Sequence, residues 1–436
     1  MFFLRYLIMT NNIFLIKRNG TLFAILVAIG FHYLFNPSES LVAQLAAILV
    51  RLVSAAVVSI LIFAISRPKK NSTKLVYAFY FISIWFLLIN FPNNTSTLVL
   101  LFAFIGFGFL ISAHLAADAG VGIISKSFDF LLAFWVLSLF LQVFIYFLTS
   151  EVIDFHQWLH PLSEARITNV GSFVRFTGVL IEPGTYANWV YGLVLLRALS
   201  GGKLFDPLSL VAVLSILVTL SAWGASVVGI YLISYFVRNI TLGKTRVYRR
   251  AVAITFVLLI IFSVIYSNFT VEFAEAIQYF EGRSELSDAS GFAKLQAYQG
   301  FFNVFLRIFL VGLPVNYDFC GGCLSSQDAG IFVNMAVRAG IMFTGLVFLI
   351  IIKCFFRRYG AIACICIFPL VFAKYFYFEP LFWVIFGCCF LDIFRDSKFL
   401  SRSLPHSDNV FRELGPHSLS HSLKNISRPK INRPID

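Results

Sequence analysis

Apolar runs of about twenty residues recur from residue 20 to residue 395, and they leave this 436-residue chain few ways to fold. The hydrocarbon core of a bilayer is about 30 Å thick and takes ~20 apolar helical residues to cross. A lipid-facing strand needs only ~10 residues of alternating polarity, whereas these runs are continuous. The pattern predicts an all-α integral membrane protein with about 12 transmembrane helices, over 20–36, 41–66, 75–91, 98–117, 128–149, 184–200, 207–221, 223–237, 251–267, 331–352, 360–377 and 380–394. The two short runs flanking Ser221–Trp223 can equally form one bent hairpin of tilted helices. Only 13% of residues are charged, about half the share in a soluble domain, which excludes a soluble enzyme.

The net charge of +13 would suggest a nucleic-acid partner on a soluble protein. Its distribution argues otherwise. Basic groups such as Arg67–Lys70, Arg246–Arg250 and Arg357–Arg358 alternate along the chain with nearly uncharged connectors such as Asn90–Thr95. By the positive-inside rule both termini are then cytoplasmic. Arg5 precedes a short apolar run with no small-residue cleavage site, so the start is expected to be uncleaved. The transmembrane unit is expected over 1–395, with a basic, Ser-, His- and Pro-rich tail over 396–436 that is expected to be disordered and cytoplasmic.

This orientation puts two long connectors outside, about 151–183 and 268–330, and long loops usually carry function. The second holds Phe301–Val311, too short to span, which is expected to lie on the outer surface as an amphipathic helix. External cations are few: Arg166, Arg175, Arg283, Lys294 and Arg307, set among a larger number of carboxylates that include Glu39 and Glu379. An ion pair is therefore the default role for each, and a guanidinium that binds phosphate bidentately is the functional one. Arg51, Arg338 and Lys374 fall inside apolar runs, where a charge is costly unless paired or wet.

No phosphate-loop motif or H-E-x-x-H pair occurs, and His156 and His160 lack Cys or carboxylate partners at ligand spacing, so no metal or cofactor is expected. The two histidines read as surface residues beside Trp158 at the membrane interface, with a base as the minority reading. Cys320 and Cys323, as Cys-Gly-Gly-Cys in the second loop, are expected to form a local structural disulfide. Glu182 directly precedes Pro183 at the start of a run, which suits a helix cap as well as a proton acceptor. Asp328 is the second candidate base, with pairing to Arg338 as its plain alternative.

These residues resemble a family. Arg175-Phe176-Thr177-Gly178 followed by Glu182-Pro183, the short-helix junction Leu217–Ser221, and Leu310-Val311-Gly312-Leu313-Pro314 before Asp328 and Arg338-Ala339-Gly340 resemble the Wzy-type O-antigen polymerases and the related O-antigen ligases. The resemblance implies a metal-independent glycosyltransferase at the periplasmic face of the bacterial inner membrane. Its donor would be an undecaprenyl-diphosphate-linked oligosaccharide, and the growing glycan would pass to the non-reducing end of a lipid-linked repeat unit. The ligase branch carries a histidine in its second loop; residues 268–330 contain none, which favours polymerase. An Arg-x10-Gly pattern of some polymerases is approached at Arg166, with Thr177 at that spacing and Gly178 one later. The expected site is Glu182 and Asp328 for catalysis and Arg166, Arg175, Arg283 and Arg338 for the substrate, with a polysaccharide chain-length regulator as a candidate partner. The competing readings are an O-antigen ligase and a lipid-linked oligosaccharide transporter.

Overall fold

Most of each apolar run that the computed structural model describes is helical. The structure describes residues 73–90, 95–117, 123–159, 165–167, 169–170, 173–241, 289–315, 317–321, 329–375, 377 and 379–393. The runs expected over 20–36, 41–66 and 251–267, and the tail over 396–436, lie outside the described residues. The chain divides into a unit of Met1–Ile393 and a second of Phe394–Asp436.

The first helices are α1 (Thr73–Asn90), α2 (Thr95–Ala117) and α3 (Ile123–Thr149), followed by the single turn and a half α4 (Phe155–Leu159). A two-residue ribbon follows, Asn169–Val170 against Phe173–Val174, with Asn169 opposite Val174. Next come α5 (Pro183–Leu199), α6 (Pro207–Ser215) with a 3-10 extension over Ile216–Thr219, and α7 (Ala222–Thr241). The remainder is α8 (Ala289–Val304), α9 (Ile331–Ala339), α10 (Ile341–Tyr359), α11 (Ala361–Val371) and α12 (Pro380–Ile393). The described fold is therefore α-helical. Within α3, Phe128–Thr149 is long and apolar enough to cross a bilayer by itself, and Lys74–Asn90, Leu101–Ala113, Pro207–Thr219 and Pro380–Ile393 are shorter apolar helices.

Helix α5 is central: it packs on α3, α6, α7 and α12, and every one of its residues except Gly184 is buried. Proline at its first position costs nothing there, because that N–H has no intrahelical partner. Helix α12 packs most closely on α2, where the Ser112 hydroxyl donates to the carbonyls of Gly108 and Val384. Such small-residue seams let two helix backbones approach closely.

At one end of the bundle sit buried ions. The Arg197 guanidinium binds Asp129, Asp206 and Ser209, while Asp206 also caps α6 through the Ser209 amide. Beside them Arg358 binds Asp392 and the Leu199 carbonyl, and the Tyr359 hydroxyl donates to Ala198. At the other end the Val315 amide donates to Asn90, and the Trp223 indole to Asn188.

Three expected elements differ, one of them the run over 360–377, where the helix stops at Val371 and 372–375 are irregular. The run over 331–352 is not one helix, because it breaks at Gly340, whose φ of 96° is the left-handed region that favours glycine. Only α10, at 19 residues, approaches spanning length; α9, at nine, does not. The break is closed by the preceding loop. The amides of Ile341 and Met342 donate to the carbonyls of Ile308 and Phe309, and the Leu313 amide donates to Val337. These satisfy helix-end groups that would otherwise be orphaned. Correspondingly, Phe301–Val311 is not a helix throughout: α8 ends at Val304 and the chain turns, which frees the carbonyls that the break requires.

Candidate functional site

The first long loop is tied down by three polar side chains before it delivers Glu182. Gln142, fully buried on α3, accepts the amides of Thr177 (3.1 Å) and Gly178 (2.9 Å) at Oε1, and donates from Nε2 to the Ile153 carbonyl (2.8 Å). Asp154 accepts the Gln157 amide at 2.9 Å and the Ala165 amide at 2.7 Å. His156 meets the Val179 carbonyl at 3.1 Å through Nδ1. A carbonyl only accepts, so Nδ1 carries the proton.

The turn at 177–180 follows from its sequence. Gly178 has φ of 61°, and a Cβ there would lie 3.0 Å from the Ser138 hydroxyl and 3.2 Å from the Leu139 nitrogen. Only glycine fits both the dihedral and the approach to α3. The Phe176 ring packs on Tyr146 at 5.4 Å, and Val179, Leu180 and Ile181 are buried. The chain thus leaves the turn in one direction.

It ends on Glu182, whose extended backbone (φ −147°, ψ 157°) opens α5. Glu182 holds the cap position, but its carboxylate makes no cap hydrogen bond to the helix backbone, contrary to the capping role. Oε1 instead accepts the Thr185 hydroxyl at 3.1 Å, and Oε2 lies 4.0 Å from Arg166 Nη1. The Arg166 amide donates to the Ile181 carbonyl at 2.6 Å, which holds the Arg166 backbone beside Glu182. The side chains are 66% exposed for Arg166 and 29% for Glu182, so the pair is open to water and contributes little to stability. It is a carboxylate with one oxygen on a hydroxyl and the other facing a solvated cation. That arrangement suits proton acceptance next to a developing anion.

Arg175 is buried two residues ahead of the docked turn. Arg338 is also buried, and it donates to the carbonyls of Pro314 and Tyr317 and lies 5.9 Å from the Phe319 ring. These contacts brace the second loop at the α9–α10 break. Arg283 and Asp328 lie outside the described residues, as do His160 and Arg51. Cys320 is disulfide-bonded, and Cys354, Cys364, Cys366, Cys388 and Cys389 are free; Cys323 lies outside the described residues.

His156 is not a surface residue. It is 1% exposed, and burial holds its imidazole below the ordinary value against smaller upward pulls from the Val179 carbonyl and Asp154. Glu379 is not an exposed external carboxylate either, being 1% exposed on the irregular stretch between α11 and α12. That stretch lies deep. Gly108, thirteen residues and so roughly 20 Å along α2, touches the Pro380 carbonyl and Trp383. Lys374 on the same stretch is half-buried. Tyr375 donates from its hydroxyl to the Asn188 carbonyl, and Asn334 donates to the Tyr375 carbonyl at 3.5 Å. Irregular backbone inside an apolar bundle is tolerated only where protein or a wet cleft satisfies it.

Sequence reading missed Gln142 and this polar node at Asn188, Trp223 and Tyr375. A lone amide in an apolar run, Gln142 or Asn188, was the available signal, since polar groups in such runs are costly unless engaged. Among the described residues no group of three His, Cys, Asp or Glu side chains is placed to hold a metal ion. Compared with family models, curated proteins and solved structures, the chain matches none.

Proposed function

We propose that this chain is a Wzy-type polymerase of surface polysaccharide, an integral membrane glycosyltransferase of about 12 spans with both termini cytoplasmic. It acts at the periplasmic face of the bacterial inner membrane. The observation that carries the reading is the Glu182–Arg166 pair, set 4.0 Å apart on a loop locked to α3 and partly open to water. Glu182 accepts the proton of an acceptor sugar hydroxyl as that oxygen bonds to the anomeric carbon of the donor glycan. The bond from that carbon to undecaprenyl diphosphate breaks, and the electron pair leaves with the diphosphate, whose charge the guanidinium stabilises.

Membrane embedding is supported by the outward-facing apolar side chains Tyr77, Phe81, Ile84 and Leu88 on α1, Leu137, Phe144 and Phe147 on α3, and Leu346 and Leu349 on α10. The orientation is supported by which connectors meet. Arg197, Asp206, Arg358 and Asp392 gather at the end that charge bias makes cytoplasmic, while Asn90, Glu182 and Val315 belong to connectors assigned outside.

The test is the glycan profile of a strain lacking the chain, complemented with native protein or Glu182→Gln. Deletion is expected to leave a single repeat unit on the lipid core. Glu182→Gln keeps the shape and removes the basicity, and is expected to lower polymerisation by about two or more orders of magnitude. A deletion strain with no repeat unit at all would point to a ligase or transporter instead.

A further inference from the structure

Gln142 is an uncharged amide about two turns before the end of the most membrane-like helix of the described residues, and the base reading does not use it. Its orientation is fixed by its partners. Backbone amides of Thr177 and Gly178 can only donate, so they face Oε1, and the Ile153 carbonyl can only accept, so it faces Nε2. One side chain therefore joins both limbs of the first loop, 24 residues apart at Ile153 and Thr177, to α3.

What leaves this clamp is short and stiff. From Gly178 the chain runs through Val179, held by His156, then Leu180, whose amide donates to Thr177, and Ile181, whose carbonyl takes the Arg166 amide. All three are buried, and the fourth residue is Glu182. The clamp thus sets the carboxylate through its backbone, and the Arg166–Ile181 bond keeps the Arg166 backbone alongside.

We propose that Gln142 is a positioning residue for Glu182, holding the turn from which its carboxylate is aimed. The inference rests on Glu182 acting as the base. Removing the acceptor leaves two buried amides unpaired, and the turn must shift to wet them. A displacement of about 1 Å at a reacting group can cost on the order of a hundredfold in rate while substrate binding persists.

The test uses the purified full chain, lipid-linked repeat unit as substrate, and the variants Gln142→Met, Gln142→Glu, Glu182→Gln and Gln142→Met combined with Glu182→Gln. Gln142→Met is expected to lower kcat about tenfold or more, with KM within about threefold. Gln142→Glu, which at this buried site is held protonated and so accepts the same two amides at one oxygen and donates its O–H to the Ile153 carbonyl, is expected to recover most of kcat. On top of Glu182→Gln, Gln142→Met is expected to add less than about threefold, because it acts through a base that is already absent. Should Gln142→Met fail to accumulate, Gln142→Asn takes its place with the same expected losses, since it draws the amide back by one methylene. Native kcat in Gln142→Met while Glu182→Gln is inactive would overturn the inference alone, as would equal losses in the Met and Glu variants or fully multiplicative losses in the combined one. Native activity in Glu182→Gln would remove the base reading and this inference with it.

Discussion

Replacing Arg197 with methionine measures how firmly the ion-bearing end of the bundle is braced. The guanidinium side chain is 8% exposed and binds Asp206 through two nitrogens, Asp129 through Nε and the Ser209 hydroxyl at 2.9 Å. Methionine fills the stem and strands both carboxylates. Breaking one partner out of a buried pair costs about 3–5 kcal/mol. Here the lower figure applies: Asp129, with 38% of its side chain exposed, rehydrates, and the 16%-exposed Asp206 keeps the Ser209 amide at 2.8 Å. A loss of about 3 kcal/mol over roughly 400 residues corresponds to a fall in melting temperature of about 3–4 °C. The assay is thermal unfolding of the detergent-solubilised chain for Arg197→Met, Asp206→Asn and the double variant. Asparagine retains an acceptor for the cap, so the cycle isolates the ion pair, and the double variant is expected to lose about 1–2 kcal/mol less than the sum of the singles. A fall under about 1 °C for Arg197→Met, or strict additivity, would refute the brace.

Gly178→Ala places a methyl 3.0 Å from the Ser138 hydroxyl in a left-handed backbone, a strain of about 1–2 kcal/mol before any contact. Proteolysis within 151–182 is expected to rise, and adding Ser138→Ala is expected to relieve only part of it; native resistance would count against the docked turn. The pH dependence of the same loop follows from His156. Its folded-state pKa lies below its unfolded value, near 6.5, so its contribution is present above that value and lost as pH falls through the folded-state pKa. Nicking of the loop is expected to increase from about pH 7 to pH 5. His156→Gln, which cannot titrate, is expected to flatten that profile, and identical profiles for the two proteins would exclude the histidine as its source.

Helix existence was legible because continuous apolar runs demand backbone self-satisfaction, and α1, α2, α3, α5 and α12 fall where the runs do. The break at Gly340 was not, because hydropathy cannot see a turn flanked by Ala339 and Ile341. Only the glycine hinted at it, and what decides the matter is a pairing with Ile308 and Phe309 some thirty residues earlier. Proline as the first residue of α5 was legible from local sterics, whereas the carboxylate of Glu182 turning to Thr185 and Arg166 depends on a loop conformation set by Gln142. Arg338 reads as a functional charge by cost alone; the structure spends it on the carbonyls of Pro314 and Tyr317. Burial of His156 escaped notice because the group that covers it, Val179, lies 23 residues away.

The splice between the second loop and the α9–α10 break has a bearing on how such chains can be recombined. A Cβ on Gly312 would strike the Arg338 backbone, and one on Gly340 would lie 2.6 Å from the Leu310 carbonyl oxygen. Two main-chain segments are therefore in direct contact, with no side chains between them to absorb a mismatch. A chimera whose crossover points sit at hydropathy boundaries would part the acceptor carbonyls of Ile308 and Phe309 from the amides of Ile341 and Met342. Residues 308–313 and 337–342 are therefore expected to transplant only together, and shuffled libraries cut between them are expected to be enriched in unfolded products.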